Sequence, residues 1–191
     1  MRAAARQLKR GVVDLYWRFR GPRIQVPEIP ADPRSILFVC KGNICRSPFA
    51  EHLASKLQRD GMNSGIKFGS AGLHVPKPTP SPESAIQVAR QFGVELENHR
   101  SQSISLELVK SYDMIIAMEV WQYAELQSSF GQHQGKLFLL PLLDANGQAK
   151  ERGYTAFNIQ DPYGGPPSAF EECFERVARC IERVFQAGGR Q

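Results

Sequence analysis

The feature that most constrains this fold is a short apolar run that ends in a cysteine and leads directly into a polar turn and an amphipathic helix. Residues 36–39 read Ile-Leu-Phe-Val, which is typical of a strand buried on both faces. The turn spans residues 41–47, and a helix is predicted from Pro48 to Arg59, because proline suits the first helical turn. A strand, a tight loop and a helix in this order create a site for binding phosphate.

The rest of the chain continues this alternation of strands and helices. Further strands are predicted at 66–70, 114–118 and 136–140, and further helices at 83–92, 120–128 and 168–186. A long connection over residues 142–167 precedes the last helix. The alternation predicts an α/β fold, a three-layer sandwich in which a four-stranded parallel sheet carries helices on both faces.

The positive charge of the chain is concentrated in its first 34 residues. The 191 residues carry a formal net charge of +5. Residues 1–34 hold eight Lys/Arg and three Asp/Glu, so residues 35–191 hold sixteen of each and are neutral. The basic character therefore gives no support for a nucleic-acid-binding domain, and no nucleic-acid partner is predicted. We expect residues 1–34 to be a basic extension and residues 35–191 to be the folded domain.

The extension itself has two predicted parts. Residues 1–20 have the spacing of a basic amphipathic helix, and four prolines between residues 22 and 33 indicate an extended linker. Contact with an anionic membrane surface, docking on the domain and binding to a partner remain open as roles for the helix. No stretch approaches the roughly 20 apolar residues of a membrane span, and four cysteines in so long a chain favour a reducing compartment. A cytoplasmic location is predicted.

The turn after the first strand carries residues that can bind an anion and activate a cysteine. Gly42 and Asn43 tolerate the positive φ values that a loop folded back on itself requires. Such a loop points its N–H groups inward and binds anions, and Arg46 adds a planar fork for two phosphate oxygens. The same positive field favours the thiolate form of a cysteine, here Cys40, and Ser47 can donate a hydrogen bond to the sulfur. No metal or cofactor is predicted, because the loop and Arg46 already supply positive charge.

This turn closely resembles the active-site loop of the low-molecular-weight protein tyrosine phosphatase family, whose signature is Cys-x4-Cys-Arg-Ser. Further matches occur in the expected order at residues 69–72, 98–101, 113–119 and 161–164, and the resemblance covers roughly residues 35–186. It implies the phosphotyrosine phosphatase I-like form of the α/β fold. It also implies hydrolysis of phosphotyrosine and small aryl phosphates through a phosphocysteine intermediate.

The resemblance also assigns expected roles to individual residues. Cys40 is the nucleophile, Arg46 clamps the phosphate, and Asp161 is the general acid that protonates the leaving oxygen. Ser70 and His99 brace the phosphate loop through Asn43. Apart from the resemblance, the chemistry of Cys45 leaves two roles open: packing within the loop, or redox partner of Cys40 through a disulfide formed under oxidation. The residues expected to bind the phosphate or the substrate are Lys41, Gly42, Asn43, Ile44, Cys45, Ser47 and Tyr163.

The residues around the loop determine which leaving group the site accepts. Relatives often carry an aromatic residue in the stretch equivalent to residues 74–82, and this chain has no Phe, Tyr or Trp there. The resemblance therefore leaves open whether a second aromatic ring faces the substrate beside Tyr163. Trp121 and Tyr123 are predicted to be packing residues. His52 and His133 are predicted to be ordinary surface or helix residues. Cys173 and Cys180 are predicted to be core and helix-surface residues.

Two other functions compete with phosphatase activity on this scaffold. An arsenate reductase on the same scaffold needs additional thiols, and no cysteine lies between Cys45 and Cys173. A non-enzymatic phosphotyrosine-binding regulator would be expected to lose Cys40, Arg46 or Asp161, and all three are present. The expected partner is a phosphotyrosine-containing protein, and analogy with bacterial relatives suggests a tyrosine kinase of polysaccharide export.

Overall fold

The computed structural model describes residues 30, 32–61, 65–143 and 154–188. The helix predicted over residues 1–20 and most of the proline-rich linker lie outside these residues. In the described part, the chain forms one parallel sheet of four strands: β1 (Ser35–Cys40), β2 (Lys67–Gly72), β3 (Met114–Ala117) and β4 (Leu137–Leu139). The strand order is β2-β1-β3-β4, and every neighbouring pair is parallel. The predicted four-stranded parallel sheet is confirmed.

Helices cover both faces of this sheet, as predicted. They are α1 (Arg46–Arg59), α2 (Glu83–Gln91), α3 (Leu106–Ser111), α4 (Val120–Phe130), α5 (Tyr154–Phe157) and α6 (Pro167–Gly188). Two short 3-10 segments, Gly131–Lys136 and Leu140–Leu143, flank β4. Helices α3 and α5 and both 3-10 segments were not predicted. Among the described helices, none has the length and apolar character needed to cross a membrane.

The core consists of two apolar layers, one on each face of the sheet. Alternate residues of a strand point to opposite faces, so Ile36 and Phe38 pack with α1, α2 and α6, whereas Leu37 and Val39 pack with α3 and α4. In the first layer, the rings of Phe49 and Phe174 stack with their centroids 3.9 Å apart. The buried continuous run of β1 therefore fixes the centre of the three-layer arrangement.

The carboxyl ends of β1 and β2 meet below the loop that follows β1. Cys40 is in register with Gly72, and the backbone of the next residues, Leu73 and His74, donates hydrogen bonds to the carbonyls of Cys40 and Lys41. A Cβ atom at Gly72 would lie 2.9 Å from the backbone nitrogen of Asn43. The fold thus needs glycine at this position for the loop to lie against the end of β2.

Candidate active site

The loop after β1 wraps around the sulfur of Cys40. The Sγ atom lies 3.1 Å from Ser47 Oγ and accepts a hydrogen bond of 3.2 Å from the backbone N–H of Asn43. The side chain is buried, with 3% of its surface exposed, and α1 begins six residues later at Arg46. The predicted contact between Ser47 and the sulfur is confirmed. The sulfur lies at the N-terminal end of a helix, where the backbone dipoles favour an anion.

Asn43 holds the loop in its reversed shape. Its φ is 52°, in the left-handed region. Its Nδ2 donates to Ser47 Oγ (2.9 Å) and Ser70 Oγ (2.8 Å), and its Oδ1 accepts from the backbone N–H of Gln102 (2.9 Å). The expectation of positive φ is therefore confirmed for Asn43 and wrong for Gly42, which is not among the positive-φ residues. One reversal, fixed by the Asn43 side chain, is sufficient to turn the chain.

A second set of residues supports Asn43 from behind. His99 Nε2 lies 2.7 Å from the Asn43 carbonyl oxygen, and Ser70 Oγ donates to Glu51 Oε2 over 2.6 Å. Burial raises the pKa of Glu51, although Ser70 and His99 oppose the shift. Burial also lowers the pKa of His99, although the Asn43 carbonyl and Glu51 favour its protonated form. The structure thus brings the predicted Ser70 and His99 to Asn43 and adds Glu51, which the sequence analysis missed.

Arg46 is buried and held by two carboxylates. Its Nη1 donates to Glu119 Oε2 (2.6 Å) and to the carbonyl oxygen of Ile159 (2.8 Å), and its Nη2 lies 2.8 Å from Asp161 Oδ2. Burial alone would lower the pKa of this guanidinium, but neighbouring groups, chiefly Cys40, Asp161 and Glu119, raise it. Within the described residues, its Nε is a buried donor without an acceptor. A buried polar atom of this kind requires an explanation, and an oxygen of a bound anion would satisfy it.

Asp161 reaches the site from the loop before α6. One carboxylate oxygen, Oδ2, contacts Arg46, and the other accepts a hydrogen bond of 3.2 Å from the backbone N–H of Tyr163. The Asp161 side chain is 35% exposed, so it lies at the opening of the site rather than inside it. Tyr163 is 65% exposed. Cys40, Arg46 and Asp161 therefore meet at one place although Asp161 is far from the loop in sequence.

Trp121 and His74 form an aromatic pair beside this opening. Their rings are nearly parallel, with centroids 6.0 Å apart, and Trp121 Nε1 donates to Glu119 Oε2 over 3.1 Å. The same carboxylate oxygen binds Arg46, so the indole lies next to the guanidinium site. Trp121 packs against His74 and is 39% exposed, and Tyr123 is buried as predicted. An aromatic ring from α4 therefore lies next to the residues that hold Arg46.

The remaining loop residues and cysteines complete the surroundings. Lys41 is exposed and Gly42 and Ile44 are half-buried on the loop.

Cys45 is buried, and desolvation, followed by the charges of Cys40 and Asp161, raises its pKa well above the ordinary value. Burial likewise raises the pKa of Cys173 to about 12. All four cysteines are free thiols. Cys180 is fully buried, so its expected place on the helix surface is wrong.

Comparisons with known proteins agree with this geometry. A sequence model described as low molecular weight phosphotyrosine protein phosphatase matches residues 35–190. The low molecular weight protein-tyrosine-phosphatase Etp of Escherichia coli (strain K12) is 36% identical over 148 residues, which are 78% of this chain and 90% of Etp. The chain therefore belongs to the low molecular weight phosphotyrosine protein phosphatase family.

Solved structures show the same fold. The tyrosine phosphatase amsI of Erwinia amylovora superposes with a TM-score of 0.72 at 27% identity, over 87% of this chain and all of amsI. The YwlE arginine phosphatase of Geobacillus stearothermophilus superposes with a TM-score of 0.69 at 27% identity, over 81% of this chain and 92% of YwlE. The fold thus carries phosphatases for two different leaving groups, a phenol and a guanidine.

Proposed function

We propose that this chain hydrolyses phosphotyrosine on proteins, and small aryl phosphates, through a phosphocysteine intermediate formed on Cys40. The observation that carries the proposal is the meeting of three groups at the N-terminal end of α1. These are the Cys40 sulfur, the Arg46 guanidinium with its unsatisfied Nε, and the Asp161 carboxyl at the opening. They supply a nucleophile, a clamp for the phosphoryl oxygens and a proton donor.

The proposed reaction has two steps. The Cys40 thiolate attacks phosphorus, the bond from phosphorus to the phenolic oxygen breaks, and Asp161 gives its proton to that oxygen. Water then attacks the phosphocysteine, Asp161 takes a proton from it, and the sulfur–phosphorus bond breaks to release phosphate. Arg46 and the loop amides stabilise the equatorial oxygens in both steps. A phosphate bound by Arg46 would displace Asp161 from the guanidinium and free the carboxyl to face the leaving group.

The opening of the site favours an aromatic leaving group. Trp121 stacks with His74 on one side, and Tyr163 is exposed near Asp161. Aromatic rings prefer offset or edge-to-face contact with one another, and such contacts contribute about 0.5–1.5 kcal/mol beyond area burial. The relatives at 32–36% identity that are named as tyrosine phosphatases support the same choice. We therefore propose phosphotyrosine rather than phosphoarginine as the substrate group.

The proposal is tested by steady-state kinetics on Cys40→Ser and Asp161→Asn in the full chain. Cys40→Ser should abolish hydrolysis of phosphotyrosyl peptide while binding of inorganic phosphate persists. Asp161→Asn should slow turnover strongly for phenols of high pKa and much less for acidic phenols, because only the former need a proton to leave. Rates near wild type for both variants, or faster hydrolysis of a phosphoarginyl peptide than of its phosphotyrosyl counterpart, would contradict the proposal.

We make three narrower proposals, one about the substrate protein and two about residues 1–34. The substrate protein is a tyrosine kinase of polysaccharide export, as analogy with bacterial relatives suggests. Residues 1–34 form a basic extension outside the domain of residues 35–191, in agreement with the matched range that begins at residue 35. The extension brings the enzyme to an anionic membrane surface from the cytoplasmic side. Liposome co-sedimentation that is unchanged when residues 1–20 are deleted would exclude this last role.

A further inference from the structure

A group of potential metal ligands lies behind the phosphate loop. Within the described part of the chain, Glu51, His52 and His99 each offer one ligand atom, and these atoms all lie within 4.8 Å of one another. Glu51 and His52 are neighbours on α1, and His99 lies in the connection between α2 and α3. The two imidazole rings meet edge to face, with centroids 6.3 Å apart. Two segments distant in sequence thus bring one oxygen and two nitrogen donors together.

The hydrogen bond made by His99 leaves its other ring nitrogen available to bind a metal. His99 Nε2 lies 2.7 Å from the carbonyl oxygen of Asn43, and a carbonyl can only accept, so Nε2 carries the proton. In the neutral ring the lone pair is then on Nδ1. A histidine that binds a metal usually donates its other N–H to a carbonyl or a carboxylate in this way. The Asn43 carbonyl therefore orients His99 as a supporting residue orients a metal ligand.

Glu51 is oriented in a similar way. Its Oε2 accepts a hydrogen bond of 2.6 Å from Ser70 Oγ, which fixes the orientation of the carboxylate. All three side chains are half-buried, so they are shielded in part from water and remain reachable by a small ion. His52 belongs to neither the phosphate loop nor its hydrogen-bonded support. The catalytic proposal gives this histidine no role.

We propose that Glu51, His52 and His99 bind a divalent transition metal ion of the zinc class, with water in the fourth position. Two imidazoles and a carboxylate are ligands that suit Zn²⁺ and Co²⁺. With metal–ligand bonds of about 2.1 Å, the ligand atoms of a tetrahedral ion lie about 3.4 Å apart, so a side-chain shift of about 1 Å closes the group. Binding through His99 Nδ1 leaves the hydrogen bond from Nε2 to Asn43 in place.

The position of the site predicts what binding does. The ion joins α1 to the segment that carries His99, and both segments support Asn43 through hydrogen bonds. Binding to the folded chain alone stabilises it by mass action. Because the contacts of Asn43 stay in place, the metal is expected to raise the Tm without abolishing phosphatase activity. This inference does not depend on the proposed substrate.

Cobalt absorption spectroscopy on the full chain tests the site directly. The parent protein carries Cys40→Ser to remove the nucleophilic thiolate as a competing ligand, and Co²⁺ is the probe, because its visible absorption reports nitrogen and oxygen ligands. His52→Ala removes one ligand but none of the hydrogen bonds that support the phosphate loop. The matched control is His133→Ala, another half-buried histidine, which lies outside the group.

The expected result is a visible Co²⁺ spectrum without a sulfur-to-cobalt charge-transfer band. His52→Ala should weaken Co²⁺ binding at least about 100-fold, since loss of a supporting residue alone costs about 10–100-fold. It should also abolish the rise in Tm with Zn²⁺, and His133→Ala should change neither quantity. Unchanged affinity in His52→Ala, equal loss in His133→Ala, or binding marked only by thiolate bands would overturn the proposal. His52→Gln gives the same test if the alanine variant does not fold.

Discussion

Asn43 is the residue on which the geometry of the phosphate loop depends. A non-glycine residue in the left-handed region is strained by about 1–3 kcal/mol, and asparagine tolerates this region better than most residues. Here the cost is offset by hydrogen bonds from the side chain to Ser47, Ser70 and the backbone of Gln102. The same bonds point the Asn43 backbone N–H at the sulfur of Cys40. The left-handed backbone of Asn43 and the hydrogen bond to the Cys40 sulfur therefore depend on the same side-chain contacts.

We expect Asn43→Ala to reduce both stability and activity. The change leaves buried partners of Asn43 unsatisfied, which should lower the free energy of unfolding by about 1–3 kcal/mol. The loop amides should also shift from their positions, and kcat for an aryl phosphate should fall about 100-fold, as expected for a misplacement of about 1 Å. Urea denaturation and steady-state kinetics measure the two effects. Asn98→Ala, at an exposed asparagine, is the control and should change neither.

Trp121 provides a test of the aromatic opening. Trp121→Ala should raise KM for phosphotyrosyl peptide about 3–10-fold, which corresponds to the free energy of one aromatic contact. Inhibition by inorganic phosphate should stay unchanged, because phosphate binds the loop and not the indole. Trp121→Phe keeps a ring but loses the hydrogen bond to Glu119, so it separates the two contributions and should stay near wild type. An equal loss of phosphate inhibition in Trp121→Ala would show that the indole acts through Arg46 instead.

At the scale of elements, α1 is the helix that the site and the core share. Its first turn carries Arg46 and Ser47, and its next residues pack Phe49 against Phe174 of α6. Leu53 and Ala54 continue the buried face of the helix. The packing of α1 on α6 thus fixes the direction from which the helix N-terminus meets the sulfur.

Phe174→Ala tests this packing. The Phe174 side chain is fully buried, and removal of such a ring should lower the free energy of unfolding by about 3–5 kcal/mol. Urea denaturation of the reduced protein measures the change. Glu175→Ala, one residue further on the exposed side of α6, is the control and should stay within about 0.5 kcal/mol of wild type. A loss below 1 kcal/mol for Phe174→Ala would show that α6 contributes little to the core.

The sequence predicted the regular elements well because their apolar patterns are strong. The continuous run of β1 and the periodic face of α6 require no tertiary information. Helix α3 was missed because six residues hold too few turns for a periodic signal, although Ser105 caps it by accepting from the Leu108 N–H. The Arg46–Glu119 pair joins residues 73 positions apart, so only the order of strands in the sheet brings it together.

At the scale of the whole molecule, three thiols besides that of Cys40 are buried. Burial raises the pKa values of Cys45, Cys173 and Cys180 above their ordinary value of 9.0. The folded protein therefore keeps these protons at a pH where the unfolded chain releases them. The three groups make the stability of the domain sensitive to alkaline pH.

We expect the free energy of unfolding to fall as pH rises through about 9 and to continue falling at higher pH, because burial raises the pKa of Cys173 to about 12. In this window the unfolded state binds fewer protons than the folded state, so each buried thiol contributes a slope of up to about −1.4 kcal/mol per pH unit. Urea denaturation with reductant at about pH 8, 9 and 10, on both sides of the ordinary thiol pKa of 9.0, would measure the slope. Cys180→Ala should lower the free energy of unfolding at neutral pH, because it creates a small cavity. It should also make the decrease with alkaline pH shallower by the contribution of one thiol. A slope that is identical in wild type and Cys180→Ala would show that this thiol ionises equally in both states and would contradict its burial.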